Sequence, residues 1–464
     1  MLTKVPSVLL VGALIVMTAV VSAQRGNPAV QFDGQGIDQM IADFMAERQI
    51  PGVTLAIVQA PYISRATGYG VTDLETRRLA SPNTLFDVGQ MTRAYTAVAI
   101  MQLVEAGTIS LDDPIGRHVT DLPAAWQAVT LRQLMAHASG LPDYTKQAGF
   151  DPARDYTAAE ILGLVRHTPA AFQPGARAAA SATDFFLLAL AIERASGMSY
   201  QAFVTKHQIE RLSLRNTVFA SGLAAVKQEA LDAAPFKHSL FLQDRPYIDP
   251  TEAATGYSMK ADSLIKARRN SASAWTGSGA IYASAQDISL WDIGLAGGLL
   301  VKEKKNRDLI YGGQALSTGA IVPANAGWRF PKHKGLMDIE GNVPGFSCYL
   351  ARFTDPSELL CVTLCGNRDG IDFVDLGRRI AGAFDRKLGP PAAAKGMVSR
   401  ESTYSVAETR ARIASFLKDK QVTIRTSVWE EPDGTVWIGY DRSAVTASAR
   451  QAVEDAIRHA TVPY

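Results

Sequence analysis

The stretch that most constrains this chain runs from Leu85 to Gly107, LFDVGQMTRAYTAVAIMQLVEAG. Between Ala94 and Val104 only Thr96 and Gln102 are polar. A helix that is apolar on every side has no face to offer water, so it belongs in the middle of a large core. Gly89 before it and Gly107 after it suit a tight turn at the start and a left-handed stop at the end. The chain therefore has to supply elements that cover this helix all round. With 464 residues, 47% hydrophobic and 20% charged, it has the material to do so.

Lys+Arg number 47 against Asp+Glu 45, a net charge of +2. Such a balance gives no handle for nucleic acid or an anionic membrane surface. The chain has no Gly-rich phosphate loop, no Cys/His spacing of the metal-binding kind and no internal repeat, so no cofactor and no metal are expected. At the N-terminus, Lys4, the apolar run Val8 to Val21 and the small residues Val21-Ser22-Ala23 before Gln24 read as a secretory signal over residues 1–23. The run is short for a membrane-spanning helix; an uncleaved N-terminal anchor is the alternative. The mature chain is expected to be secreted or periplasmic, with no membrane contact beyond the signal segment. Only Cys348, Cys361 and Cys365 are present. An odd count in strand-like apolar runs is no disulfide framework. The thiols read as small apolar core residues, and a cross-strand Cys348–Cys361 bridge is the open alternative.

Periodicity predicts a helix over Ile37 to Arg48, with Ile37, Met40, Ile41 and Phe44 on one face. Val53 to Ala60 and Ile63 to Tyr69 follow as a buried hairpin. GSGAIYASAQDISLWDIGLAGG reads as a strand and then a helix starting at Ser284, with Asp287 in its first turn. Strands over Ser347 to Phe353 and Leu359 to Cys365, and a helix over Ile371 to Phe384, close a main domain spanning residues 24–387. Residues 388–396, beginning Leu388-Gly389-Pro390-Pro391, read as a linker. Residues 397–464 form a small unit read as helix, hairpin across Asp433-Gly434, helix.

Over most of residues 37 to 385 the chain resembles the serine β-lactamase and penicillin-binding-protein family, in its class C, esterase and D-aminopeptidase-like branch. The resemblance rests on IPGVTLAIV, on GYGVTDLETRRLASPNTLFDVG, on His137-Ala138-Ser139-Gly140-Leu141, and on Asn342-Val343-Pro344-Gly345-Phe346. It implies an α+β fold, an antiparallel sheet flanked by helices with a helical subdomain, and acyl transfer by a serine nucleophile. The three motifs that carry this chemistry are altered. Where the family has Ser-x-x-Lys, this chain has Gln90, Met91, Thr92, Arg93. Where it has Tyr-x-Asn, the chain has Ala180, Ser181, Ala182. Where it has a basic residue, any residue and glycine, the chain has Ile339, Glu340, Gly341.

The replacements cannot do the original work. A carboxamide is no nucleophile, and a guanidinium stays charged and accepts no proton. Alanine and isoleucine carry no polar side-chain atoms. What survives is backbone: by position, the N–H groups of Gln90 and Asn342 would form the oxyanion hole. His137 reads as a structural histidine bonding its turn. Ser-x-x-Lys recurs at Ser263–Lys266 and Ser415–Lys418 without the surrounding framework, and Thr92 and Ser181 lie beside motif positions with no base near them in sequence. Arg93, a fixed cation near a helix start, requires a counter-charge; Asp184 is the expected partner and Asp87 the second choice. The expectation is a secreted pseudoenzyme that uses Gln90, Arg93, Asp184, Gly341 and Asn342 to bind a peptide, a cell-wall-type ligand or a protein partner in the old cleft. The alternative is a serine hydrolase with a rearranged site.

Overall fold

The computed structural model describes residues 30–60, 62–226, 252–331, 335–354, 359–390, 397–432 and 434–462. The expected signal segment, most of the expected linker and Asp433 lie outside them.

The first helix, Ile37–Arg48, buries Ile37, Met40, Ile41 and Phe44 as the periodicity requires. It stops at Gln49, whose left-handed backbone (φ 51°) turns the chain into the strand Gly52–Gln59 and its hairpin partner Tyr62–Gly70. These two strands finish a seven-stranded antiparallel sheet. Its order is Ala324–Asn325, Trp328–Arg329, Leu336–Val343, Phe346–Phe353, Leu360–Gly366, Gly52–Gln59, Tyr62–Gly70. The N-terminal hairpin thus pairs with the last strand of the domain, for example Ala56 opposite Thr363. One face of the sheet is covered by the first helix and by Val374–Gly382, with Phe44 stacked on Phe373 at 5.6 Å. The other face carries the helix Ala285–Ala296, whose start is capped by the Ser284 hydroxyl accepting from the Asp287 N–H (3.1 Å).

Beyond that layer sits the helix expected to organise the chain, Thr92–Glu105. Every residue from Ala94 to Met101 is buried, and it packs against the long helix Ala182–Ser196. Its interior side chains Thr96 and Gln102 are both tied to distant segments through their donors. The Thr96 hydroxyl lies 2.7 Å from the Gly277 carbonyl and 2.7 Å from the Tyr200 hydroxyl. Gln102 donates to the carbonyls of His207 and Leu300, each at 3.1 Å. A polar group buried without such partners would be strongly destabilising. This is the mixed α+β, β-lactamase/transpeptidase-type architecture that the resemblance implied.

The C-terminal unit differs from the helix-hairpin-helix expectation. A strand, Met397–Ser402, precedes the first helix and pairs with Val436–Asp441, giving a three-stranded sheet with Thr426–Glu430 on the other edge. Helices Val406–Asp419 and Ala447–Thr461 complete it. The strand escapes pattern reading because Arg400 and Glu401 are buried charges that pair with the main domain. Arg400 pairs with Glu340 (3.0 Å) and with Asp372, and Glu401 pairs with Arg378. Glu340 also receives Arg329 and, at 3.3 Å, Arg458, while Arg48 meets Glu454 at 2.6 Å. Burial pushes the Glu340 carboxyl up, and Arg400, Arg329 and Arg458 more than reverse this, holding it well below the usual range. Leu388, expected in the linker, is packed with the apolar residues between the sheet and the helices Ile37–Arg48 and Val374–Gly382, and its carbonyl accepts from Arg378 (2.5 Å).

Glu340 is the shared counter-charge of three arginines from both units. Removing one member of a buried ionic group leaves the others uncompensated, at about 3–5 kcal/mol. Glu340→Ala is therefore expected to lower the urea unfolding midpoint by a corresponding amount, and a change below about 1 kcal/mol would contradict this role.

Candidate functional site

The site is built on the turn between the strand Thr84–Asp87 and the central helix. Gly89 takes a left-handed backbone (φ 54°) and starts a short 3-10 turn, Gly89–Met91, that feeds the helix. Gly341 lets the third-motif strand approach this turn closely: a Cβ there would fall 1.9 Å from the Val88 carbonyl oxygen.

The close approach brings Gln90 onto Asn342. The Asn342 N–H donates to the Gln90 side-chain oxygen at 2.6 Å, and the Gln90 side-chain nitrogen donates to the Asn342 carbonyl at 2.9 Å. The carboxamide thus behaves like one more residue on the strand edge, paired in both directions. Its oxygen occupies the donor expected to polarise a substrate carbonyl. The Asn342 side chain is also engaged, its Oδ1 accepting from the Gly370 N–H at 3.0 Å.

Arg93 is half-buried and lies 5.6 Å from the centre of the Phe185 ring. The direct Arg93–Asp184 pair expected from the sequence gives way to a relay through His137. Arg93 Nη1 is 3.2 Å from His137 Nε2, and His137 Nδ1 is 2.7 Å from Asp184 Oδ2. A guanidinium only donates, so Nε2 accepts and Nδ1 carries the proton to the carboxylate. The Ser139 hydroxyl donates to the other oxygen of Asp184 at 2.5 Å. Burial pushes the imidazole well below its ordinary value, and Arg93 pushes it further the same way. Burial raises Asp184, opposed by the Ser139 hydrogen bond and by Arg93. The result is a neutral imidazole between a cation and a buried carboxyl group whose proton affinity burial raises. Sequence reading treated His137 as structural and missed this bridge; the only signal was the His-x-Ser spacing that aims His137 and Ser139 at one acceptor.

The other motif positions are apolar surface or core. Ala180 is half-buried, next to Ala179, whose N–H donates to the His137 carbonyl at 2.9 Å. Ala182 opens the long helix and Ile339 sits in the middle of its strand, each 1% exposed and both in the main core cluster. Thr92 is fully buried, and Ser181 is buried with its hydroxyl on the Pro142 carbonyl (3.3 Å). Ser263–Lys266 forms a hairpin strand, and Ser415 and Lys418 lie on a helix of the C-terminal unit. Asp87 is not the counter-charge of Arg93 either. Its carboxyl accepts from Gly89 N–H (3.0 Å) and Asn270 (2.9 Å), bracing the turn from beneath.

A family model described as Beta-lactamase matches residues 37–383. The chain belongs to the Beta-lactamase family. Protein flp of Staphylococcus aureus (strain MW2) is 29% identical over 206 residues, 42% of this chain and 40% of that protein. Penicillin-binding protein 4* of Bacillus subtilis (strain 168) is 25% identical over 301 residues, 63% of each chain. The matches therefore span less than two thirds of either relative. Among solved structures, the octameric penicillin-binding protein homologue from Pyrococcus abyssi aligns at TM-score 0.62 and 22% identity over 85% of both chains. The D-amino acid amidase from Ochrobactrum anthropi SV3 aligns at 0.60 and 20% identity, over 76% of this chain and 99% of that one. At these identities the likeness establishes the Beta-lactamase fold, and the C-terminal unit lies beyond the matched family region.

Burial pushes Asp87 from 3.8 up to about 6, against the opposing bonds from Asn270, Gly89 and Ala280. A raised folded value means that the native state holds the proton more tightly. The stabilising contribution is complete below 3.8 and lost as the pH rises through about 6. The loss is on the order of 3 kcal/mol. Asp87→Asn is expected to gain relative to wild type by that order between pH 4 and pH 7 in urea unfolding; a pH-independent difference would refute the assignment.

Proposed function

We propose that this protein is a catalytically silent, exported member of the Beta-lactamase family that binds a peptide or cell-wall-type ligand, or a protein partner, without acylating it. The observation that carries this reading is the Gln90 carboxamide paired with the Asn342 backbone. Acyl transfer needs a nucleophile, a base and a vacant oxyanion hole. Here the residue at the nucleophile position is itself the occupant of that hole. Arg93 at the base position accepts no proton, and it is tied to the buried His137–Asp184 pair. A hydrolase with a rearranged site would need an accessible hydroxyl beside a base, and Thr92 and Ser181 are both buried. The ligand class is supported by the names of the relatives, penicillin-binding protein and D-amino acid amidase, and by Ala180, Asn342 and Arg93 standing part-exposed around the latch.

Intact-mass measurement after exposure to a β-lactam and to a fluorophosphonate tests the silence. No adduct is expected with either reagent. A stoichiometric adduct that disappears when one serine or threonine is replaced would overturn the reading. The binding half is tested by calorimetry with soluble muropeptides and an L-amino-acid control peptide; saturable binding of the former alone is expected, and no binding to either removes the ligand class.

Reversion probes the scaffold. Catalytic groups act as a unit, so Gln90→Ser alone is expected to give no measurable ester hydrolysis. The combination Gln90→Ser, Arg93→Lys, Ala180→Tyr, Ala182→Asn and Ile339→His is expected to give slow turnover of an activated ester. Substantial activity from the single change would mean that a working base is already in place.

A further inference from the structure

The three cysteines are free thiols in this structure, but they are not equivalent. Strands Phe346–Phe353 and Leu360–Gly366 pair with Cys348 directly opposite Cys365. Both side chains enter the main core cluster, on the face of the sheet towards the central helix. Opposed residues of an antiparallel pair have Cα atoms about 4.5–5.5 Å apart, inside the span of about 4.4–6.8 Å that a disulfide bridges. Cys361 stands opposite Arg352 and Val58 instead. It is four residues further along its strand from Cys365, roughly 13 Å at about 3.3 Å per residue. The Cys348–Cys361 bridge left open by the sequence is therefore excluded by register.

The pair also has a position of consequence. Cys348 stands opposite Gly341 on its other side, one residue from Asn342. Its sulfur lies 3.8 Å from the Asp87 carbonyl, beneath the turn that carries Gln90. We infer that Cys348 and Cys365 form a cross-strand disulfide when the chain folds in an oxidising compartment, stapling the sheet under the Gln90–Asn342 latch. The inference stands whether or not the site is silent.

The chemistry is thiol–disulfide exchange with an external disulfide, either oxidised glutathione or a disulfide oxidoreductase. One cysteine thiolate attacks a sulfur of the oxidant, and one thiol leaves. The second thiolate attacks the mixed disulfide, and the second thiol leaves. The two cysteines lose two electrons and two protons, and the oxidant takes up both as two thiols. Timing follows from burial. Desolvation pushes the Cys348 thiol well above its ordinary value, and the Cys365 thiol adds to this. In the folded, reduced protein both sulfurs lie in the core, Cys348 1% and Cys365 0% exposed, with no path for an oxidant. The bond forms while the strands assemble, before the core closes.

The test uses the full mature chain, unfolded with reductant and refolded in a glutathione redox buffer. Alkylation under denaturing conditions should then label one cysteine, with a loss of about two mass units from the remaining pair. Peptide mapping should join the segments containing Cys348 and Cys365. Protein folded first under reducing conditions and then given the same buffer should keep three alkylatable thiols at least about tenfold longer. Cys361→Ser should leave the bridge in place, and Cys365→Ser should abolish it. Three alkylatable thiols in oxidatively refolded native protein, or Cys361 in the mapped bridge, would overturn the inference. Equal oxidation rates before and after folding would overturn its timing. If Cys365→Ser does not fold, the wild-type map and Cys361→Ser decide the matter alone.

Discussion

Burial of the helix Thr92–Glu105 all round its length from Ala94 to Met101 is the constraint from which the remaining structure follows. An all-apolar cylinder has no solvent side, so it needs the long helix Ala182–Ser196 against it, the helix Ala285–Ala296 and the sheet beneath that, and loops around its ends. Its interior polar groups, Thr96 and Gln102, are each tied to backbone carbonyls from distant segments. These bonds are satisfied only when the helical layer and the Gly277 segment are both in place, which couples local helix formation to global assembly. The same helix carries Arg93 in its first turn, so the demands of the core and of the site meet at one turn.

At that turn, the groups in the positions expected to be catalytic are held by neighbouring residues. Gln90 closes on the edge of the strand that carries Asn342, and Arg93 is linked through His137 to Asp184, buried in the first turn of the neighbouring helix. Ala182 and Ile339 extend the apolar core where polar groups would be expected to line a cleft. Each change is consistent with the others. A fixed cation tolerates partial burial only with a counter-charge, and an exposed strand-edge N–H is best satisfied by a fixed amide.

The same logic governs the junction of the two units. Glu340, Asp372, Glu401 and Glu454 meet arginines across the interface, and Tyr440 approaches Glu454 at 3.4 Å. A further link runs from the Gln451 side chain to the Gly370 carbonyl (3.2 Å), and Gly370 N–H reaches Asn342. The C-terminal unit is therefore in hydrogen-bonded contact with the loop that braces the latch.

The fold was legible in the sequence wherever burial leaves a repeating pattern. The helix Ile37–Arg48, the central helix with its flanking glycines, the Ser284 cap and the main strands were all readable, because periodicity and turn chemistry are local. The strand Met397–Ser402 was not readable, since its charges are buried only by partners elsewhere in the chain. Residue chemistry at the site was equally plain: an amide, a guanidinium, two alanines and an isoleucine stand at Gln90, Arg93, Ala180, Ala182 and Ile339. What each of them touches was decided by tertiary structure alone. Gln90 meets Asn342 across 252 residues, His137 comes between Arg93 and Asp184, and Cys348 faces Cys365 instead of Cys361. Local pattern encodes which residues leave water; strand register and helix packing decide which of them meet.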